Sequence, residues 1–268
     1  MPHTPRGVRE ETMRFTGPVT AMLLGAAIGA AQVPTSFPGW TLNGSATMEE
    51  MQGGGFRLLL TPSQTGQSGS AFVTKPISFH AGNTFSYAFQ FQMTDPVFEA
   101  SDGMTFVLQT QGPTAVGGNG GCLGYAGAPL AGNCPPATGG ITPSVAVEFD
   151  TYENAPYDIN DNHVAVLTDG QLNDLDPQTP YGVTNCQPTG GFGCMNDGDV
   201  WYVWIDYDGT TLHVALADNT DVRPANLINY AIDIPSILGG SSAYIGFTAG
   251  TGAGSENHYV MNFKPGNP

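Results

Sequence analysis

The sequence predicts an antiparallel β-sandwich, and three observations point to that fold class. Glycine and proline number 37 and 21 of 268 residues, whereas only 11% of the residues are charged. That composition suits short strands joined by turns. Short apolar segments recur between turn residues, as in all-β proteins, and no apolar pattern of helical period is sustained. We therefore expect one all-β domain of about ten to twelve strands.

The N-terminal segment, residues 1–31, is predicted to be a secretory signal peptide. Arg14 precedes an apolar run at 21–31 that ends in small residues, which is the order of features found in such signals. The run is too short to span a bilayer comfortably, and no later segment of the sequence contains 18 or more apolar residues. An ordinary buried helix is the alternative. A start at Met13 would leave residues 1–12 upstream of the protein.

Removal of the signal would leave residues 32–268 as one exported domain, secreted or at the cell surface, without membrane insertion. The whole chain carries a net charge of −16. This charge argues against binding to nucleic acid or to an anionic membrane. Carboxylates could hold divalent cations, although solubility outside the cell explains the same charge.

Ten segments with strand character follow one another along this domain. The clearest, residues 85–92, alternates strictly and places Phe85, Tyr87, Phe89 and Phe91 on one face. No linker divides the domain, so all the strands are assigned to one sandwich. The segments are 56–60, 71–73, 85–92, 104–108, 145–149, 164–167, 201–207, 212–216, 244–248 and 259–263.

The four cysteines lie in two long loops rich in glycine and proline, residues 111–143 and 169–199. They form two local pairs, Cys122/Cys134 and Cys186/Cys194. An even number of cysteines in an exported protein indicates disulfides, and the spacing does not suit zinc. Four cysteines allow three pairings, of which local closure of each loop is the simplest.

One segment, residues 145–163, stands out because an apolar strand runs into a loop rich in oxygen ligands. Residues two apart on a strand share a face, so Glu148, Asp150 and Tyr152 are expected to point the same way. Neighbouring carboxylates are costly unless a cation or a proton neutralises them. The loop adds further polar groups, namely Asn154, Asp158, Asp161 and His163.

These groups have the chemistry of a divalent metal site. Carboxylate, amide and carbonyl oxygens suit Ca²⁺, whereas a neutral imidazole beside carboxylates suits a transition ion such as Mn²⁺. Two adjacent cations that share Asp150 and Asp158 would use every member of the segment. A solvated acidic loop with an exposed histidine is the alternative interpretation.

The same segment, which reads VAVEFDT before a loop with Asn, Asp and His, resembles the metal-binding stretch of legume-type (L-type) lectins. The resemblance extends over residues 37–263, with 40–46 and 72–79 similar to the first strands of that family. It implies a jelly-roll sandwich of the concanavalin A-like type. The chain is thereby identified as a secreted, bacterial-like member of that superfamily.

The resemblance also implies which side chains hold metal. Glu148 and His163 match the manganese ligands of the family, and Asp150 and Asp158 match the residues that bridge the two metals. The expected cofactors are Ca²⁺ and, at the second site, Mn²⁺.

The resemblance matches Tyr152, through its carbonyl oxygen, and Asn154 with the calcium ligands of the family. Family members usually have proline after the second aspartate, whereas Ile159 follows Asp158 here. Asp161 is therefore an alternative to Asp158 for the bridging role.

Further segments resemble the sugar-binding loops of the family. Ser101-Asp102-Gly103 resembles a site where the aspartate follows a cis peptide bond and accepts hydrogen bonds from two sugar hydroxyls. Gly121, in the sequence GGCLG, matches a backbone N–H donor to sugar.

The monosaccharide loop resembles residues 245–254. Ala253 and Gly254 occupy its contact positions, but Glu or Gln often replaces Gly254 in the family, so the sugar preference does not carry over. The Asn154 amide would be a second donor, and the Tyr152 ring would pack on the sugar.

The resulting prediction is reversible, calcium-dependent binding of glycans or glycoconjugates by a protein that is not an enzyme. One site per domain would bind a simple sugar weakly, so useful avidity would need a homo-oligomer or clustered ligands.

Two alternatives stay open. A glycoside hydrolase of the same sandwich shape would use Glu148, Asp150 and Glu153 as an ExDxxE signature, with carboxyl groups about 5–5.5 Å apart. However, Trp201 and Trp204 fall on alternate faces, with no sign of an aromatic-lined cleft. The second alternative is a structural or adhesive module that kept the fold and lost the sugar site.

Overall fold

A computed structural model describes residues 39–127, 134, 139–156, 158–172, 181–183 and 194–265. Its strands form two antiparallel sheets, which we call the front and back sheets. The front sheet contains β1 (Trp40–Gly44), β4 (Ser68–Val73), β5 (Ile77–Ser78), β7 (Gly103–Gln109), β8 (Ser144–Asp150), β9 (His163–Thr168), β10 (Tyr181–Val183) and β14 (Ser242–Gly250). The back sheet contains β2 (Thr47–Glu50), β3 (Phe56–Thr61), β6 (Phe85–Val97), β11 (Trp201–Tyr207), β12 (Thr211–Asp218), β13 (Ile228–Ala231) and β15 (Ser255–Pro265).

The strand order in both sheets departs from sequence order. The front sheet runs β1-β4-β14-β7-β8-β9-β10, with β5 beside β14, and the back sheet runs β13-β12-β11-β6-β15-β3-β2. The predicted all-β antiparallel sandwich is therefore confirmed. β7 and β8, far apart in sequence, become neighbours at the centre of the front sheet, which brings their loops to one edge.

All ten predicted strand segments are strands. The prediction missed β2, β10 and β13, and a one-turn helix, α1 (Ile234–Leu238). Residues 72–79, which the resemblance implied to be one strand, are divided between β4 and β5. β2 and β13 are edge strands with mixed polar sequences, so they lack a sustained apolar signal.

The main core lies between the sheets and is built by strict alternation along the strands. Phe85, Tyr87, Phe89 and Phe91 all belong to it, as predicted. Phe89 packs edge-on against Phe247 of the front sheet, with ring centroids 4.9 Å apart. Burial of each such side chain contributes roughly 1.5–3 kcal/mol. This core fixes the register of both sheets, because a slip by one residue would turn every ring to the opposite face.

A second apolar cluster covers the opposite face of the front sheet. Phe72 and Val107 project there from β4 and β7, and they pack with Leu123 and Tyr125 from the long loop between β7 and β8. The Tyr125 hydroxyl lies 2.8 Å from the hydroxyl of Ser144. The front sheet is thus buried on both faces, so polar side chains of β8 that point to this loop-covered face are also removed from water.

A disulfide joins Cys122 to Cys134 and closes part of that loop, as predicted. Cys194 is also disulfide-bonded, but Cys186, its predicted partner, lies outside the described residues. The predicted signal peptide, residues 1–31, lies outside them as well. Within the described part of the chain, no helix is long and apolar enough to cross a membrane.

Candidate functional site

Three side chains meet on the loop-covered face of the front sheet. Glu148 and Asp150 lie two residues apart on β8, and His163 opens β9 directly opposite Asp150. Each residue offers one ligand atom, and these atoms lie within 4.8 Å of one another. All three side chains are buried. Buried carboxylates and an imidazole at this spacing have the chemistry of a divalent cation site.

The His163 ring is oriented as a metal ligand would be. Its Nδ1 lies 2.9 Å from the carbonyl oxygen of Asn160, and because a carbonyl only accepts, Nδ1 is the donor. The other nitrogen, Nε2, lies 3.9 Å from Oε2 of Glu148. A backbone acceptor on one ring nitrogen is the usual way in which a ligating histidine is held. The residues present therefore fit a metal ion.

The loop after β8 is tied to the two predicted bridging carboxylates. The Tyr152 N–H donates to Oδ1 of Asp150 at 2.8 Å, and the Asn154 N–H donates to Oδ2 of Asp158. Asp158 is not part of the three-residue cluster. Asp161, the alternative candidate for the bridging role, is exposed. Of the two aspartates, Asp158 is the one that accepts a hydrogen bond from the described part of this loop.

A cavity of about 540 Å³ lies where the loops of β7, β8 and β14 converge. It brings together all six residues that the sequence predicted for sugar binding, namely Asp102, Gly121, Tyr152, Asn154, Ala253 and Gly254. The cavity is also lined by residues that the prediction did not include, namely Phe98, Glu99, Ser101, Gly120 and Gly252. Four separate chain segments thus contribute to one concave site.

Asp102 is positioned by its backbone. The Ser101–Asp102 peptide bond is cis, as the resemblance implies. The Asp102 N–H donates to the Gly250 carbonyl at 3.1 Å, and its own carbonyl accepts from the Thr151 N–H at 2.9 Å. Its side chain is only 4% exposed, and Oδ2 has no hydrogen-bond partner among the described residues. The Asp102 carboxyl group is therefore a fixed hydrogen-bond acceptor at the cavity.

The surroundings of Asp102 raise the pKa of its carboxyl group. Burial raises its pKa to about 7, opposed by a hydrogen bond from the Gly252 backbone and reinforced by the charges of Glu256 and Asp158. Glu256 is fully buried and lies 3.4 Å from Nε2 of His258. Its Oε1 is also 2.9 Å from the Thr151 hydroxyl. This interior pair was not predicted, because the two residues belong to no recognisable sequence motif.

Two glycines permit close contacts in the cavity wall. A β-carbon on Gly121 would come within 2.2 Å of Oδ1 of Asn154, so the amide rests directly on the Gly121 backbone. A β-carbon on Gly252 would lie 3.0 Å from Oδ2 of Asp102, tighter than ordinary van der Waals contact. Any larger residue at position 121 would displace the Asn154 side chain.

Gly254 is also in close contact with its surroundings. A β-carbon there would come within 2.4 Å of the Glu99 carbonyl oxygen and 2.7 Å of the Ser101 hydroxyl. The space that a side chain at position 254 would need is therefore filled by residues 99–101. This explains physically why the chain departs from the Glu or Gln expected at this position.

The family relationship of the chain follows from comparison with known proteins. The model of the legume lectin domain family matches residues 37–264. The chain belongs to the legume lectin domain family. The prediction that it is not an enzyme is confirmed by this membership, because the family consists of non-enzymatic carbohydrate binders.

The relatives of this legume lectin domain include plant receptor kinases. It is 27% identical over 215 residues to the probable L-type lectin-domain containing receptor kinase I.2 of Arabidopsis thaliana, covering 77% of this chain and 31% of that protein. It is 30% identical over 221 residues to the receptor kinase SIT2 of Oryza sativa subsp. japonica, with 77% and 31% covered. The chain spans about a third of the length of the curated relatives it matches. These plant proteins do not support the expected bacterial-like subgroup.

Solved lectin structures share the fold of this legume lectin domain. A lectin from Bauhinia forficata in complex with GalNAc aligns with a TM-score of 0.61 at 20% identity, covering 87% of this chain and 95% of that one. Lectin II from Ulex europaeus aligns with a TM-score of 0.61 at 23% identity, covering 87% and 94%.

The hydrolase alternative does not fit this lectin domain. Glu148 is buried beside His163, whereas Glu153 is exposed, and neither lines the cavity. Trp201 and Trp204 do lie on opposite faces, as expected. However, Trp204 stacks beside Tyr202 in a groove of about 580 Å³ on the outer face of the back sheet, so the expectation of no aromatic-lined cleft was wrong.

Proposed function

We propose that this domain binds carbohydrate reversibly and that calcium is required for binding. The observation that carries the proposal is the convergence of Asp102, Gly121, Tyr152 and Asn154 on one cavity. These four residues come from three loops that are remote from one another in sequence. The GalNAc complex of the Bauhinia forficata lectin and a galactose complex of the lectin UEA-II support a sugar as the ligand.

The polar groups of the cavity complement a sugar. The Asp102 carboxylate accepts hydrogen bonds from adjacent hydroxyls, and the Gly121 N–H and the Asn154 amide donate to sugar oxygens. The Tyr152 ring offers a surface for the weakly apolar face of the pyranose. Fixed donors and acceptors cut the ordering cost of binding, which matters for a ligand that gains little apolar burial.

A metal ion would act on these groups indirectly. Asp150, Asp158, the Tyr152 carbonyl and the Asn154 side chain are the proposed calcium ligands, and Glu148 with His163 would hold the second ion, Mn²⁺ or a similar metal. When bound, the cations neutralise the buried carboxylates and hold the 150–158 loop in one conformation. The backbone N–H groups of Tyr152 and Asn154, which line the cavity, already donate hydrogen bonds to the carboxylates of Asp150 and Asp158, respectively.

We further propose that the domain acts outside the cell. The supports are the predicted signal peptide over residues 1–31, the disulfide between Cys122 and Cys134, which suits an oxidising compartment, and relatives that are named as receptor kinases. Residues 32–268 would then be the mature domain, and a homo-oligomer or clustered glycans would supply avidity.

A glycan array tests the proposal. The calcium-loaded protein is expected to bind a defined set of glycans, and EDTA should abolish that binding. Asp102→Ala should remove it while leaving the thermal unfolding midpoint of the calcium form close to that of the wild type. Asn154→Ala should also remove it, but with a lower midpoint of the calcium form, because the Asn154 side chain is a proposed calcium ligand. A protein that binds calcium yet no glycan would instead be a structural or adhesive module. Glycan binding indifferent to EDTA would refute the calcium requirement.

A further inference from the structure

One aromatic side chain at the mouth of the cavity has no role in the site described so far. Phe98 lies in the segment between β6 and β7 and lines the cavity. It is 92% exposed, although a phenylalanine normally buries its ring. Asp102, four residues later, is the fixed acceptor of the same cavity, so the ring stands at the rim of the proposed sugar site.

The backbone at Phe98 is held in an unfavourable conformation. Its φ is +65°, a region that bulky residues rarely adopt. The Glu99 N–H donates to the Val97 carbonyl at 2.9 Å, so Phe98 is the central residue of a tight three-residue turn. Strain of this kind at a ligand site suggests a functional reason for keeping the residue.

The turn is anchored by the adjoining segment at the start of β15. The Ser255 N–H donates to the Glu99 carbonyl at 3.0 Å, and Gly254 leaves room for that carbonyl, as described above. The 97–101 segment therefore packs where a side chain at position 254 would otherwise stand. Phe98 is presented by a turn that is hydrogen-bonded to the first residue of β15.

We propose that Phe98 forms an aromatic platform beside the sugar site, which contacts the group attached to the bound sugar. This inference rests on the proposed function and extends it to a ligand class: glycosides whose substituent presents an apolar face. An aryl aglycone and the apolar face of a second sugar ring share that chemistry. An exposed ring at the rim adds contact area only for a ligand that extends beyond the first sugar residue.

The proposal predicts a selectivity that depends on one side chain. For the sugar identified on the array, isothermal titration would compare the methyl glycoside, the phenyl glycoside and a disaccharide with that sugar at its non-reducing end. The wild-type protein is expected to bind one or both extended ligands about three- to tenfold more tightly than the methyl glycoside. The two extended ligands distinguish an aryl group from a second sugar ring as the preferred substituent.

Variants at position 98 separate this role from a structural one. Phe98→Ala should bring the ratio of extended-ligand affinity to methyl glycoside affinity close to one. Phe98→Gly should also abolish the selectivity, yet raise the unfolding midpoint, because glycine adopts a positive φ without strain. Phe56→Ala is the matched control, since Phe56 is a second exposed phenylalanine, 46% exposed on β3 and outside the cavity.

The outcomes distinguish the two proposals. If glycosides bind but the ratio is the same in wild type and Phe98→Ala, the platform is refuted and the sugar site stands. If the wild-type protein binds no glycoside, the proposed function fails and the platform fails with it. A loss of selectivity in Phe56→Ala equal to that in Phe98→Ala would also overturn the inference.

Discussion

The Asn154 amide lies directly against the backbone of Gly121, so that a β-carbon at residue 121 would come within 2.2 Å of its oxygen. This contact joins the loop after β8 to the turn at residues 120–122. It explains why a glycine is needed at position 121 without reference to any ligand. Because both residues line the cavity, their contact also sets the distance between the two proposed donors.

Gly121→Ala tests this contact. The added methyl group must push the Asn154 side chain away, so we expect glycan affinity to fall at least about tenfold, the scale of one lost hydrogen bond to sugar. Isothermal titration with the array sugar would measure it. Gly240→Ala is the control, since a β-carbon there meets its nearest neighbour at 3.7 Å. Equal affinity in Gly121→Ala and the wild type would contradict the proposed role of Asn154.

The raised pKa of Asp102 predicts a pH dependence of stability in the metal-free protein. Its folded pKa of about 7 lies above the ordinary value of 3.8, so the folded state binds the proton more tightly. The associated stability is fully present below about pH 3.8 and is lost as the pH rises through 7. Asp102→Asn should flatten this decline in the unfolding midpoint measured in EDTA. Asp161→Asn, at an exposed position, should retain the decline. An unchanged slope in Asp102→Asn would contradict the raised pKa of this carboxyl group.

Calcium is expected to stabilise the folded protein. A ligand at one hundred times its Kd adds about 2.7 kcal/mol, or roughly 5–10 °C for a domain of this size. Calorimetry with calcium and with EDTA should show the shift in the wild type and in Asp161→Asn. Asp158→Asn should lose most of it. A full shift in Asp158→Asn together with loss in Asp161→Asn would reverse their roles.

The disulfide between Cys122 and Cys134 is expected to stabilise the loop that carries Gly120 and Gly121. Its sequence separation is 12, for which removal costs about 3 kcal/mol. The double variant Cys122→Ser/Cys134→Ser should therefore unfold at lower urea concentration and bind sugar more weakly. An unchanged urea midpoint would show that packing of Leu123 and Tyr125 alone holds the loop.

The apolar pattern was sufficient to predict most of the fold. Alternation in residues 85–92 predicted a face that the core confirms, whereas the edge strand β2, with the sequence TMEE, carries too few apolar residues to be recognised. Glu148 and Asp150 were predicted because strand spacing places the two carboxylates on one face, and His163 because it ends the polar loop that follows them. The pairing of β8 with β9 brings this histidine opposite Asp150.

Other parts of the site could not be predicted from the sequence. Phe98 and Ser101 line the cavity because the β6–β7 segment folds back against Gly254, a tertiary contact with no local signal. The buried pair of Glu256 and His258 arises in the same way, since ordinary strand alternation does not reveal which polar residues meet in the interior. The role of each glycine likewise became clear only from the atoms that a β-carbon would meet.

A crystal structure of the calcium-loaded protein with the array sugar would test the central claim most directly. We predict sugar hydroxyls within hydrogen-bond distance of the Asp102 carboxylate, the Gly121 N–H and the Asn154 amide. A cation should be coordinated by Asp150, Asp158 and Asn154. Sugar bound elsewhere, for example in the groove beside Trp204, or sugar bound at the cavity with no cation at these residues, would contradict the account.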